Sequence, residues 1–174
     1  MKKKPIYLYV LLTLSVISTV FATVTKFLST KPTTLTEPLA EALKLQTEQA
    51  KTAYQTYLDK LFDLSHGLPA NLFFYLNILT IIACIFFLVK KDLLKANITY
   101  IVNVLLYFIS IIFYFVSGRP LLMELSEKKV DVTFIESTNN YSLIIAIVYT
   151  VICLSILLFK LWKQQSATTE EISE

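Results

Sequence analysis

Apolar residues in this chain are gathered into long blocks, and polar residues fall between the blocks. Four stretches, residues 5–28, 69–89, 96–116 and 142–162, carry almost no charge. A run of about 20 apolar residues, rising ~1.5 Å each as a helix, crosses the ~30 Å hydrocarbon core of a bilayer. The pattern therefore predicts an all-α membrane protein, a bundle of four transmembrane helices forming a single polytopic domain over residues 1–174.

The ends of the blocks carry their own signals. Lys2, Lys3 and Lys4 precede the first, and Val20-Phe21-Ala22 imitates a signal-peptidase site. Its apolar run of roughly 17 residues exceeds the usual 7–15-residue signal core, which favours a retained helix. Lys26 near its far end is placed to snorkel to the interface. Lys90-Lys91-Asp92-Leu93-Leu94-Lys95 reads as a short basic turn between the second and third blocks. Ser117-Gly118-Arg119-Pro120 predicts the end of the third. Trp162 between Lys160 and Lys163 reads as an interfacial anchor for the fourth, followed by a disordered cytoplasmic tail over 164–174.

The polar stretch after the first block has helical periodicity. Thr34-Leu35-Thr36-Glu37 matches a capping box, Pro38 suits a first turn, and Gly67 stands where a C-cap belongs. Leu43, Tyr54, Tyr57, Leu61 and Leu64 fall at spacings of three, four or their sums, on one face of a single amphipathic extracytoplasmic helix predicted over 37–65. That stripe either covers the outer ends of its own bundle, or docks a partner or a second copy. Between the third and fourth blocks, Val130 to Glu136 alternates in a β-prone way.

Inside the blocks, small and polar residues form seams. Tyr100, Asn103, Tyr107, Ser110 and Tyr114 share one face of the third block, and Tyr149 with Ala146 and Cys153 one face of the fourth. Asn77, Thr80 and Cys84 mark the second block, and Ser15, Ser18, Ala22 and Thr25 the first. Helices in lipid associate through small residues and interhelical hydrogen bonds, so the seams predict where the spans meet. They serve as packing, or they line a pocket for a lipid tail or small amphiphile; the tyrosines would give such a pocket flat walls and hydroxyl groups.

Charge and chemistry narrow the function. The net charge of +3 is small, and the lysines sit at block ends, so no nucleic-acid partner is expected. Lys2, Lys3, Lys4, Lys90, Lys91, Lys95, Lys160 and Lys163 are packed into short segments on one side, which puts both termini in the cytoplasm. Residue usage rich in Lys, Ile, Asn and Tyr and poor in Gly points to a bacterial cytoplasmic membrane. Two cysteines inside apolar blocks and one histidine, His66, make neither a redox pair nor a metal site. No Asp, Glu, Lys, Arg or His lies deep in blocks two to four, where a proton or ion path needs one. The expectation is a protein without catalytic residues, cofactor or metal. It would act as an accessory or interaction subunit of a bacterial transport or cell-envelope complex, with the bilayer and a protein or second copy as partners. The alternative is a protein that binds or sequesters a lipid or amphiphilic peptide, as immunity or resistance proteins do.

Overall fold

The computed structural model describes residues 5–31, 35–43 and 45–173. Among them are six helices: α1 (Ile6–Leu28), α2 (Glu37–Ala42), α3 (Glu48–His66), α4 (Leu68–Val89), α5 (Leu93–Glu127) and α6 (Thr133–Ser173). Four of these, α1, α4, α5 and α6, are long and apolar enough to cross a membrane. Large apolar side chains such as Phe21, Ile82 and Ile145 are more than half exposed on their outer faces, as a bundle surrounded by lipid requires.

The long helices meet in a first core. Leu8, Leu11 and Leu12 of α1 pack there with Cys84 and Leu88 of α4, Tyr100 and Val104 of α5, and Cys153 and Leu157 of α6. Both cysteines are free and buried. The α4–α5 turn is tight. Lys91 adopts φ 60°, and the Lys91 and Asp92 amides donate to Leu88 O and Phe87 O at 3.0 Å, a Schellman closure. Asp92 then caps α5 by accepting from the Lys95 amide at 3.1 Å.

A second core lies beyond the bundle. Ala40, Leu45, Ala50 and Tyr57 bury against Leu122 and Leu125 of α5 and Val130. Several of the predicted elements are revised. The helix expected over 37–65 is broken. Residues 43 and 45–47 lie outside the helices, and the Thr47 side chain caps α3 by accepting from the Ala50 amide at 3.1 Å. On an unbroken helix Leu45 would stand two residues from both Leu43 and Thr47, off the apolar stripe; the break turns it inward, to 5% exposure. Lys51 ties the pieces together, bonding Glu37 at 2.9 Å and Glu48 at 3.0 Å. Thr34 of the expected capping box and Lys44 lie outside the described residues.

The third block does not end at 116. α5 runs through Gly118 and Pro120 to Glu127. Proline removes one amide donor to the carbonyl four residues back, here Val116, but burial of Leu122 and Leu125 beneath α3 holds the helix past it. The segment expected to be β-prone forms no strand: residues 130–132 are an irregular lead-in and Thr133 to Glu136 the first turn of α6. The Asp131 side chain accepts from the Thr133 amide at 3.0 Å, and Val130, Val132 and Ile135 join the second core. The fourth apolar helix thus begins at Thr133 rather than 142, and its backbone stays helical through the stretch expected to be a disordered tail, to Ser173. Gly67 is the C-cap of α3, as expected, in an extended conformation (φ −65°, ψ 165°), and joins α3 to α4 where the Asn71 side chain donates to His66 O at 2.8 Å.

The Leu/Tyr stripe therefore faces its own chain. Leu43, Tyr54 and Leu61 pack around buried Tyr57 in the second core, and the Tyr54 and Tyr57 rings meet at 5.9 Å, tilted by 44°. Burial, and secondarily the neighbouring Tyr54, pushes the Tyr57 phenol up to about 12. The folded cap thus favours the neutral phenol, while the unfolded chain releases its proton near pH ~10. Stability is full below about pH 10 and falls as pH rises toward 12. Alkaline unfolding followed by circular dichroism should lose on the order of 2 kcal/mol over that window, and Tyr57→Phe should flatten the slope.

Candidate functional site

Between the two cores the helices part. α1 is held to the bundle at its first half. Tyr7 OH donates to Asn97 Oδ1 at 2.9 Å, and Asn97 is fully buried. Buried Tyr100 donates to Leu11 O at 2.8 Å, lies 2.7 Å from Ser15 Oγ, and lies 3.4 Å from the Tyr149 hydroxyl. Its one proton goes to the carbonyl, so Ser15 and Tyr149 are the donors at the other two contacts. Past Ser15 the small residues of α1 face open space.

That space is a chamber of about 360 Å³ walled by α1, α4, α5 and α6. It lies within the ~300–1,000 Å³ range of small-molecule sites. Ser18 and Ala22 line it from α1, Phe73 and Asn77 from α4, Tyr107 and Ser110 from α5. Tyr149 of α6 closes another side, its ring edge-on to Tyr107 at 5.8 Å. Asn103 builds the wall between α4 and α5. Its amide donates to Asn77 O at 3.2 Å, Asn77 Oδ1 at 3.3 Å and Thr80 Oγ1 at 2.9 Å. Ser110 bonds its own helix, at Tyr107 O, 2.7 Å away. Walls of this kind offer apolar faces to a hydrocarbon chain and scattered hydroxyl and amide groups to orient it.

The seam read from the sequence thus divides in two. Asn103, Tyr107, Ser110, Tyr114 and Tyr149 line the chamber, whereas Tyr100 is sealed in the core below it. Ser15 and Asn77, expected as packing residues, also line it. Phe73 and Phe74 were not legible as wall residues, because phenylalanine in an apolar block looks the same toward lipid or cavity. Of the stripe, Tyr57, Leu61 and Leu64 border a second cleft next to α3. Thr25 bonds only its own helix, at Phe21 O and Ala22 O.

Near the α3 end, Lys26 reaches across the bundle. Its Nζ donates to Ser65 O at 2.7 Å and sits 5.4 Å from the Phe74 ring. His66 stacks on Phe62 at 4.0 Å, and its ring nitrogens lie 3.0 Å from Phe62 O and 3.3 Å from Ser29 Oγ. These contacts pin the end of α1 to the end of α3. Among the described residues, no three His, Cys, Asp or Glu side chains gather as a metal ion would need.

Residues 1–170 match the model of a family described as a domain of unknown function, DUF8777. The chain belongs to this family. No curated protein and no solved structure matches it. The match covers all four long apolar helices and both cores, so the chamber lies wholly inside the DUF8777 domain.

Proposed function

We propose that this DUF8777 chain is a non-enzymatic membrane protein that binds a lipid or other amphiphilic molecule between its helices. The observation that carries this reading is the chamber beside Tyr107, Ser110 and Tyr149, left open between two packed cores. A bundle needing only self-association would bring small residues such as Ser18 and Ala22 into close helix contact. Here those two residues are exposed and border the chamber. Residue usage supports a bacterial cytoplasmic membrane, and the lysine distribution supports both termini being cytoplasmic and the α2–α3 cap outside.

Service as an accessory subunit of an envelope or transport complex is the weaker reading. The stripe it would use already covers the chain's own α5, and Tyr57 at 6% exposure is unavailable unless α3 lifts away. Mass spectrometry of the intact protein, released from mild detergent, tests the binding reading. A bound amphiphile at up to one per chain is the expected result. A protein that stays unliganded, both as isolated and after incubation with supplied lipids, sinks it.

A further inference from the structure

The chamber has a neighbour. A cleft of about 530 Å³ lies alongside α3, bordered by Leu61, Phe62 and Ser65 of α3, Gly118 of α5, and Asn139 and Ser142 of α6. Tyr114 of α5 lines both spaces, and it is the residue they share. One turn further along α5, a Cβ built on Gly118 would meet no atom within 4 Å, so the helix leaves room there. The two spaces are thus consecutive, the cleft toward the cap and the chamber deeper in the bundle.

Their linings share a chemistry that the other grooves lack. Among the described residues, neither lining contains Asp, Glu, Lys, Arg or His. The groove between α3 and α5 carries Glu48, Lys60, Glu124 and Lys128, and the one between α5 and α6 carries Arg119 and Glu136. In the cleft the polar groups are hydroxyls and an amide: Ser29, Thr30, Tyr57, Ser65, Tyr114, Ser142 and Asn139. At its α1–α3 edge, Lys26 donates to Ser65 O at 2.7 Å and His66 lies 2.9 Å from Ser65 Oγ and 3.3 Å from Ser29 Oγ, while Lys31 pairs with Asp63 at 3.9 Å. Beside Asn139 and Ser142, away from Lys26, an ionised group would lose water and find no charged side chain in the lining, whereas a hydroxyl would exchange water for side-chain partners.

Resting on the chamber as a binding site, we propose that one ligand occupies both spaces: a single-chain amphiphile with an uncharged, hydroxyl-bearing head. The head sits in the cleft among Ser65, Asn139 and Ser142. The chain passes Tyr114 and lies along Tyr107 and Tyr149. A monoacylglycerol has this chemistry and serves as the probe.

The test is displacement of a labelled monoacylglycerol from the full chain in nanodiscs of uncharged lipid. Unlabelled monoacylglycerol should compete at least about tenfold better than the fatty acid of equal chain length, whose head is a carboxylate at neutral pH. The native cysteines are both buried, so a cysteine introduced at the surface takes a maleimide selectively. A bulky maleimide on Ser142→Cys should abolish binding. The same label on Ile144→Cys, two residues on and 55% exposed, should leave it unchanged. Equal competition by the carboxylate, or full binding to labelled Ser142→Cys, overturns the inference. If binding is lost with phenylalanines at Ser18 and Ser110 yet ignores head charge and the Ser142 label, the chamber reading stands and only this assignment falls. If the wild type never takes up the label, both fall.

Discussion

Tyr100→Ala is expected to cost about 3 kcal/mol and to release α1 from the bundle. Tyr100 is the largest fully buried side chain, and its hydroxyl joins α5 to Leu11 O, Ser15 and, more loosely, Tyr149. Truncating a buried aromatic ring in a water-soluble core costs roughly 3–5 kcal/mol. The low end applies here, because the separated helices remain in apolar lipid and regain part of the contact. α1 depends on this residue more than the other helices do. Its own buried side chains are confined to Leu8, Leu11 and Leu12, so its second half contributes little packing. Tyr100→Phe separates the two parts of the effect. It keeps the ring and removes the hydroxyl, at about 1 kcal/mol, the scale of a hydrogen bond between membrane helices. Denaturant titration in mixed micelles gives the energies. Protease sensitivity of the segment after Leu28 reports whether α1 has come away. An alanine variant as stable as wild type would show that α1 is anchored elsewhere, for example through Tyr7 and Asn97.

Phenylalanine at both Ser18 and Ser110 should eliminate amphiphile binding while leaving stability equal or higher. The two serines line the chamber from α1 and α5, so the new rings enter it from two walls. Neither serine is buried in a core, and the Ser110 hydroxyl bonds only its own helix, at Tyr107 O. Removing that bond leaves no orphaned partner on another helix. Filling a void restores dispersion contacts that its lining lacks. A residue needed only for packing would behave in the opposite way, since overfilling a tight seam costs about 1–3 kcal/mol. Loss of ligand with a maintained or raised melting temperature supports the chamber as a site. Loss of stability with retained ligand would place the ligand elsewhere.

Much of this architecture was legible along the chain. The four charge-free blocks correspond to the four long apolar helices, because a helix that meets lipid or other helices on every side has no use for charge over about 20 residues. The polar seam was legible for the same reason. Tyr107, Ser110 and Tyr149 break an otherwise apolar composition at helical spacing, and polar groups in such helices turn toward a neighbour or a cavity. Whether they would close on each other or stand apart was not. Closure depends on the path of α1, and its serines carry the same signal in either case.

The signals that misled were local ones. Gly118 and Pro120 spell a helix end, and Val130 to Glu136 spell a strand, when each is judged against its immediate neighbours. Gly118 and Pro120 lie inside α5, and 130–136 leads into α6; both are held by burying Leu122, Leu125, Val130 and Ile135 beneath α3, whose residues are far away in sequence. The break between α2 and α3 has the same origin, since only the second core gives Leu45 a place to go.

The sequence by itself determined the number of long apolar helices, their composition, and the absence of Asp, Glu, Lys, Arg and His deep in three of them. The tertiary structure decided that the bundle carries a second core, that the Leu/Tyr stripe serves that core, and that a chamber remains between the two. Hydropathy is a property of each segment alone. A void is a property of how four segments fail to meet, and it exists here because Tyr100 and its partners draw α1 in at one end while Lys26 and His66 pin it to α3 at the other.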